Sequence, residues 1–369
     1  MAQRTRLLAI THDFTTSGAP TWLFDLVSEL ASRYEFVVVG PGEGPLREQY
    51  TARGIETHVV PDVLNNPKRV QDLAASFEAV MPNTLISFGA VLGAAAAPKP
   101  VIWTIHETSD YKGFFDANSP WTRVAFACAT ETVTTCNYAA NMYRKWWDRP
   151  YTIIHPGVAQ WEGESRPVTT SGPLQLLVLG TVHPRKGQDI AVEAMELLGS
   201  DSANFWLNIA GESVEVDFER ALRARTVGKS VTWHGRLPNG VECKAIQQAD
   251  IVVVPSREEL TSLVVAEAQM CGKCVVAANA GGMPETIGHS DAGVLFGRAP
   301  AELAAALKGL AANRERIVEI GKNAHAYAHE HHTIPAMAGK YAQFIEKVLQ
   351  RARDNKPAPQ EQLAAAASV

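Results

Sequence analysis

Several features that would place a protein in a special class are missing from this sequence. The 369 residues contain no run of about 18 apolar residues and no charged-then-apolar N-terminal pattern, so neither a transmembrane helix nor a signal peptide is expected. Lys and Arg (34) do not outnumber Asp and Glu (39), and the formal net charge of −5 argues against a nucleic-acid-binding protein. The sequence therefore predicts a soluble, cytoplasmic protein.

Cysteine is also scarce, and the five cysteines do not suggest a disulfide framework. Cys271 and Cys274 match the C-x-x-C spacing of a redox motif. However, Cys271 ends a predicted helix and Cys274 begins a predicted strand, whereas a redox pair lies at the opposite, strand-to-helix, junction. We therefore interpret both as packing residues.

Short apolar runs alternate with amphipathic stretches along most of the chain, which is typical of parallel sheets covered by helices on both faces. The length is sufficient for two domains. In the first half, strands are predicted at residues 7–11, 36–39, 58–60, 85–88, 101–105, 133–135 and 152–154, and amphipathic stretches at 22–32 and 70–80. In the second half, strands are predicted at residues 174–179, 205–210, 231–234, 251–254, 274–277 and 294–296. A polar stretch at 160–173 is the expected linker.

The segment 254–285 has the densest set of residues suited to chemistry. A predicted buried strand ends in it, a polar loop carries Glu259, and the helix that follows carries Glu267, with seven residues between the two glutamates. A second strand then leads to the glycine pair at 281–282. Each strand-to-helix junction places backbone N–H groups at a helix N-terminus, which favours binding of an anion such as a diphosphate.

This segment resembles the E-x7-E signature of the retaining glycosyltransferases of family 4, which have the two-domain GT-B fold. The matching positions are, in order, Pro255, Ser256, Glu259, Glu267, Ala268, Gly272, Val275, Val276, Gly281, Gly282 and Glu285. The resemblance implies an α/β protein with two Rossmann-like, doubly wound domains that face each other across a cleft. The implied parts are an acceptor domain at 1–165, a donor domain at 166–333 and a helix at 334–352 that packs back on the first domain. The composition of 353–369, which has little to bury, predicts a disordered tail.

The resemblance assigns most donor contacts to the second domain. It implies that Lys186 neutralises the donor's diphosphate, that Glu259 accepts hydrogen bonds from sugar hydroxyls, and that Glu267 accepts them from the ribose. The family's usual arginine in the Lys186 loop is replaced here by Thr181, and Arg185 is the candidate substitute. The remaining predicted donor-binding residues are Gly180, Gly211, Arg236, Thr261, Ser262 and Leu263.

Two stretches of the first domain also resemble parts of the family's site. His106 follows a predicted strand, and the resemblance implies that it lines the sugar site near the anomeric carbon; a structural histidine at a strand end is the alternative. Gly18 lies in a loop that resembles the family's glycine loop near the diphosphate and acceptor. The predicted catalytic residues are thus His106, Lys186 and Glu259.

No metal ion or other cofactor is expected. The chain lacks the Asp-x-Asp sequence that usually binds metal in the other large glycosyltransferase fold. We interpret His325, His329 and His332 as part of a partly exposed helical segment rather than as metal ligands. The basic and aromatic stretch at 144–147 suggests at most weak peripheral contact with a membrane, because residues 1–165 carry 13 Lys and Arg against 17 Asp and Glu.

The sequence thus predicts a retaining, metal-independent hexosyltransferase. Its donor would be a UDP- or GDP-linked sugar, and its acceptor a glycan, a lipid-linked or a small molecule in glycan or polysaccharide biosynthesis. A non-catalytic sugar-nucleotide or glycan-binding protein of the same fold remains an alternative because of Thr181. A sugar-nucleotide epimerase of the GT-B fold and a phosphorylase of the GT-B fold are two further possibilities.

Overall fold

The computed structural model describes residues 4–161, 163–238 and 240–354. The chain folds as two compact units: the first runs to Gly157 and resumes at Ile334, and the second spans Val158–Thr333. The division at 157/158 precedes the predicted boundary at 165/166. The last helix belongs to the first unit.

The first unit is built on two parallel sheets. Its strands are β1 (Arg6–Ile10), β2 (Glu35–Gly40), β3 (Glu56–Val59), β4 (Ala79–Pro82), β5 (Ile102–Ile105), β6 (Glu131–Thr134) and β7 (Thr152–Ile153). They form a sheet of order β3-β2-β1-β4 and a sheet of order β5-β6-β7, which isolated parallel bridges at Val80–Val101 and Asn83–Thr104 connect. Parallel neighbours require crossover connections, which are helices here. These are α1 (Gly18–Leu30), α2 (Pro45–Ala52), α3 (Pro67–Ala74), α4 (Phe88–Ala96), α5 (Lys112–Ala117), α6 (Trp121–Cys128) and α7 (Asn137–Arg144).

The segment 70–88 differs from the prediction. The predicted helix at 70–80 ends at Ala74, β4 occupies Ala79–Pro82, and the predicted strand at 85–88 is a 3-10 turn that leads into α4. All four residues of β4 are buried, so its sequence lacks the alternation that marks a half-exposed strand. In addition, α4 lies against the backbone that precedes α3, since a Cβ atom at Gly89 would stand 2.2 Å from the carbonyl oxygen of Leu64.

The second unit contains one six-stranded parallel sheet. Its strands are β8 (Leu174–Leu179), β9 (Phe205–Ala210), β10 (Val231–Gly235), β11 (Ile251–Val254), β12 (Cys274–Ala278) and β13 (Val294–Phe296). Its helices are α8 (Gln188–Leu197), α9 (Val216–Thr226), α10 (Val241–Gln248), α11 (Leu263–Met270), α12 (Met283–Ile287), α13 (Pro300–Ala312) and α14 (Arg314–His331). All six strands are parallel, in the order β10-β9-β8-β11-β12-β13. The sequence order of neighbouring strands reverses between β8 and β11. The predicted class, with two Rossmann-like doubly wound α/β units, is confirmed.

The last helix, α15 (Ile334–Asp354), is part of the core of the first unit. Tyr341 is fully buried, its ring centroid lies 5.3 Å from that of Trp22 on α1, and its hydroxyl lies 3.4 Å from Oγ1 of Thr104. Among the described residues, no helix combines the length and apolar character required to cross a bilayer.

We expect Tyr341→Ala to lower the free energy of unfolding of the first unit by about 3–5 kcal/mol, the usual cost of removing a buried aromatic ring. Urea denaturation followed by tryptophan fluorescence measures this change. Lys340→Ala is the matched control, because Lys340 is exposed on the same helix; it should shift stability by less than about 0.5 kcal/mol. Equal effects of the two substitutions would contradict the assignment of α15 to the core of the first unit.

Candidate functional site

The reversal of strand order between β8 and β11 locates the first group of site residues, because open parallel sheets bind ligands beyond the strand ends at such a point. Lys186 lies in a 3-10 turn after β8, and Glu259 lies in the loop after β11. Nζ of Lys186 is 2.5 Å from Oε1 of Glu259, and Nη1 of Arg185 is 3.5 Å from Oε2. Two basic side chains therefore meet one carboxylate at the switch point of the sheet.

Glu259 is held from several directions and only 8% of it is exposed. The hydroxyl of Ser256 donates to Oε1 at 3.0 Å, and the backbone N–H of Gly282 donates to the Glu259 carbonyl at 2.8 Å. Arg185 also donates to the carbonyl of Glu258 at 2.9 Å. The carboxylate thus has a fixed position, and Ser256, to which the sequence assigned no contact, is part of what fixes it.

Glycines allow the loops around Glu259 to approach one another. A Cβ atom at Gly281 would lie 2.0 Å from the carbonyl oxygen of Glu259, and one at Gly187 would lie 2.1 Å from that of Pro255. Both glycines have positive φ values, 60° and 72°, which residues with a side chain rarely adopt. Gly211 approaches the backbone of Gly180 in the same way, since a Cβ atom there would lie 1.9 Å from the Gly180 carbonyl oxygen.

The N-terminus of α11 adds backbone donors to this region. The Ser262 hydroxyl accepts a hydrogen bond from the N–H of Val265 and caps the helix. Leu263 is thus the first residue of α11, Ser262 its N-cap and Thr261 the residue before the cap. Glu267 lies on the same helix. Burial, together with the charge of Glu242, raises the pKa of the Glu267 carboxyl group to about 7.

We expect the raised pKa of Glu267 to make stability depend on pH. Because the folded-state pKa lies above the ordinary value of 4.5, the folded protein favours the protonated form, and it loses stability as the pH rises through about 7. Glu267→Gln should therefore stabilise the ligand-free protein by about 2 kcal/mol at pH 8 and change it little at pH 4.5. Urea titrations at both pH values measure this. The same difference at both pH values would rule out the titration of Glu267 as its source.

Arg236, a predicted donor contact, makes its ion pair outside this cluster. Arg236 has a 64% exposed side chain and lies 3.4 Å from the Glu212 carboxylate. Thr181, at the position of the missing family arginine, is exposed. Its carbonyl accepts a hydrogen bond from the fully buried Gln188. The substitution of Arg185 for that arginine stays a prediction.

The second group of site residues lies in the first unit. His106 follows β5, and its ring stacks edge-on against Trp22 with a centroid distance of 4.6 Å. Its Nε2 is 2.8 Å from Oδ1 of Asn83. Burial, reinforced by the nearby His12, lowers the pKa of His106 to about 3, so the imidazole is neutral at physiological pH. Gly18 is the first residue of α1, and a Cβ atom there would meet no other atom within 4 Å.

Sequence reasoning missed two buried polar residues beside His106. Glu107 is 7% exposed, and its carboxylate accepts hydrogen bonds from the backbone N–H groups of Leu85 and His106 at 2.8 and 2.9 Å. Burial raises its pKa to about 7. Asn83 is 1% exposed and directly follows β4. The His-Glu pair at a strand end was a usable signal for Glu107, whereas Asn83 was hidden by the wrong assignment of residues 70–88.

The described part of the chain contains no group of three or more His, Cys, Asp or Glu side chains that could hold a metal ion. His325 and His329 stack on α14 with a centroid distance of 4.3 Å. His332 is 1% exposed, which corrects the expectation of a partly exposed position, and its Nε2 is 2.8 Å from the carbonyl oxygen of Thr286. Cys271 and Cys274 are free thiols.

Two family models match this chain. Residues 162–327 match the family model of glycosyl transferases group 1, and residues 16–160 match that of glycosyltransferase family 4. The D-inositol 3-phosphate glycosyltransferase of Geodermatophilus obscurus is 33% identical over 185 residues, which are 47% of this chain and 41% of that protein. Glycogen synthase of Mycobacterium tuberculosis is 31% identical over 43% of this chain and 39% of its own length. The chain thus spans about two fifths of the length of these curated relatives.

Solved structures with similar folds have lower identity. The structure of HepE from Anabaena in complex with UDP and glucose superimposes with a TM-score of 0.78 at 18% identity, over 93% of this chain and all of that one. Sucrose-phosphate synthase from Thermosynechococcus elongatus gives a TM-score of 0.72 at 19% identity, over 94% of this chain and all of that one. These likenesses concern the fold.

Proposed function

The chain belongs to the glycosyltransferases of family 4, which have the GT-B fold, and from this premise we propose that it transfers a sugar from a nucleotide-diphosphate donor to an acceptor hydroxyl group. The observation that carries the proposal is the convergence of Lys186 and Arg185 on Glu259 at the switch point of the second unit. A binding crevice is expected at this place in an open parallel sheet.

The proposed chemistry follows from where charge develops. Cleavage of the sugar–phosphate bond leaves negative charge on the departing diphosphate and positive character on the sugar. A fixed ammonium group at Lys186 stabilises that negative charge more in the transition state than in the ground state, which is the condition for catalysis. Glu259, held by Ser256 and the N–H of Gly282, would keep Lys186 in place and accept hydrogen bonds from sugar hydroxyls.

We propose a UDP- or GDP-linked donor and retention of the anomeric configuration. HepE, which shares the fold, was crystallised with UDP and with UDP-glucose, which supports a uridine diphosphate donor. In the proposed mechanism the acceptor attacks the face from which the diphosphate departs, and a phosphate oxygen of the donor takes the acceptor's proton. Glu267 would bind the ribose hydroxyls, as carboxylates accept such paired donors well.

The proposed acceptor is a polyol or a glycan, in keeping with the names of the relatives, an inositol-phosphate glycosyltransferase and a glycogen synthase. A lipid-linked acceptor is the alternative. The two are separated by assaying transfer to free sugars and polyols and to the same head groups in detergent micelles.

The donor can be identified by a thermal-shift panel of nucleoside diphosphates and sugar nucleotides. A ligand present at about 100 times its dissociation constant should stabilise the protein by about 2.7 kcal/mol. We expect UDP or GDP and their sugars to shift the transition, while the corresponding nucleoside monophosphates give smaller shifts because they lack one phosphate for Lys186. No shift with any nucleoside diphosphate would contradict the proposal.

We expect activity to survive an excess of a chelator such as EDTA, because basic side chains and helix N-termini stabilise the diphosphate in the proposed mechanism. Initial rates of nucleotide release are compared before and after chelator treatment and after addition of magnesium or manganese. Loss of turnover with chelator, restored by either ion, would contradict metal independence.

A non-catalytic donor-binding protein is the second candidate, and the exposed Thr181 at the position of the family's arginine favours it. Slow hydrolysis of the donor in the absence of acceptor separates the two functions. The enzyme should release nucleoside diphosphate from a donor that it binds, whereas a binding protein should release none.

A further inference from the structure

Asn83 connects two parts of the first unit that carry predicted site residues. Its Nδ2 donates to the carbonyl oxygen of Ala19, in the first turn of α1, at 2.9 Å. Its Oδ1 lies 2.8 Å from Nε2 of His106. Only 1% of Asn83 is exposed, so the Asn83 end of both hydrogen bonds is shielded from solvent. Asn83 therefore links the start of α1 to the histidine after β5.

These two contacts fix the protonation of His106. A carbonyl oxygen only accepts hydrogen bonds, so the amide nitrogen of Asn83 must point to Ala19 and its oxygen to His106. That oxygen in turn requires a donor, so Nε2 of His106 carries the proton. Because burial keeps the imidazole neutral, its Nδ1 has no proton and is a hydrogen-bond acceptor.

The turn that carries Asn83 is held in an unfavourable backbone conformation. Thr84 has φ 80° and ψ 158°, a region that residues other than glycine rarely occupy. Three neighbours hold it there: its N–H donates to the carbonyl of Thr104 at 2.7 Å, its own carbonyl accepts from the indole of Trp103 at 2.8 Å, and the next N–H donates to the carboxylate of Glu107 at 2.8 Å. A strained backbone conformation that several neighbours hold in place is typical of functional sites.

We propose that Asn83 is a positioning residue that holds His106 in the Nε2–H tautomer, so that Nδ1 accepts a hydrogen bond from a substrate hydroxyl group. The inference rests on the proposed function for its substrate and on the structure for the tautomer. The proposal specifies that the substrate group at Nδ1 is a hydrogen-bond donor. A hydroxyl can donate to Nδ1, whereas a deoxy position, a fluorine or an ionised carboxylate at the same place cannot.

Several other ionisable groups surround His106 and contribute to its titration. His12 lies after β1, with its Nε2 3.4 Å from Asp13. Glu107 follows His106, and Tyr143 of α7 donates to the Glu107 carbonyl. Tyr341 of α15 packs behind Trp22. Because a substitution at Asn83 keeps all of these groups, its comparison with the parent isolates the effect of Asn83.

The test uses Asn83→Asp in the full-length chain. An aspartate still accepts from Nε2–H, but its charge favours the imidazolium, so the pKa of His106 should rise by about two pH units or more. The probe is the ¹⁵N spectrum of histidine-labelled protein, with the His106 signals identified by their absence in His106→Gln. The parent should show the Nε2–H tautomer and, because the pKa of His106 is lowered to about 3, no protonation down to about pH 5.

The pH dependence of kcat/KM is a second, independent measurement. In Asn83→Asp, imidazolium formation removes the Nδ1 acceptor. With the pKa of His106 raised from about 3 to about 5, kcat/KM for the donor should fall about tenfold at about pH 4 relative to the parent. It should recover toward the parent value at about pH 8.5, where His106 is neutral again. A residue with only a structural role would give a loss that does not depend on pH.

Ser87→Ala is the matched control, because Ser87 is fully buried in the same turn and donates to the backbone carbonyl of Asn83 at 2.7 Å. It should lower stability but leave the tautomer and the pH profile as in the parent. An Nδ1–H tautomer in the parent, or an unchanged His106 titration in Asn83→Asp, would overturn the proposal. The spectra need no turnover, so they test the tautomer and the role of Asn83 even if donor cleavage is never observed.

Discussion

Replacement of Lys186 by alanine should lower the turnover number by a factor of about 10²–10³, the usual cost of losing one preorganised transition-state contact. The expectation follows from the position of its ammonium group, 2.5 Å from Glu259 at the switch point of the sheet. Arg185, 3.5 Å from the same carboxylate, would retain part of the positive charge. The quantity to measure is kcat for nucleoside diphosphate release at saturating donor.

The control for this prediction is Lys308→Ala in the same unit. Lys308 is exposed and pairs with Asp201 at 2.7 Å on the surface, so its loss should change kcat by less than about twofold. Circular dichroism of both variants verifies that they are folded. If Lys186→Ala retained activity within a few-fold of the parent, the diphosphate contact would have to be reassigned to Arg185, and the double variant would show this.

Glu259→Gln should lower kcat by about 100-fold while nucleoside diphosphate binding stays the same or becomes tighter. Glutamine keeps the shape of the side chain and can still accept the hydrogen bond of Ser256, but it no longer attracts Lys186. The ammonium group is then free for the phosphates, whereas the sugar loses a charged acceptor. Calorimetry with UDP or GDP measures affinity, and initial rates measure kcat.

Glu258→Gln is the neighbouring control, since Glu258 precedes Glu259 in the same loop. Its backbone carbonyl accepts a hydrogen bond from Arg185, and this contact survives the substitution. Glu258→Gln should therefore leave kcat within a few-fold of the parent. If it were the more damaging variant, the seven-residue spacing to Glu267 would be the wrong alignment of the motif.

The sequence predicted the second unit well because its signals are local. Most of its six strands are short apolar runs, and the E-x7-E pattern lies on a strand, a loop and a helix that follow directly in sequence. The glycine positions also have local causes, such as the close approach of Gly281 to the carbonyl of Glu259. In such a segment residue order is sufficient to predict which groups come together.

The first unit was predicted less completely because its site depends on contacts between distant residues. The hydrogen bonds of Asn83 reach His106 and Ala19, which lie 23 and 64 positions away in sequence. No local pattern marks such a residue. The wrong assignment of 70–88 added to this, since a strand buried on both faces has no periodicity that separates it from a helix. The site of the first unit could therefore be recognised only from the folded structure.

The most direct test of the proposed function is the anomeric configuration of the sugar that the protein releases. Purified protein is incubated with UDP-glucose, or with the sugar nucleotide that gives the largest thermal shift, and proton NMR follows the reaction before mutarotation equilibrates the product. We predict release of nucleoside diphosphate together with a sugar, free or transferred, that has the same anomeric configuration as the donor, and a rate at least about 100-fold lower in Lys186→Ala. A product of inverted configuration, or no cleavage of any donor that binds, would contradict a retaining glycosyltransferase.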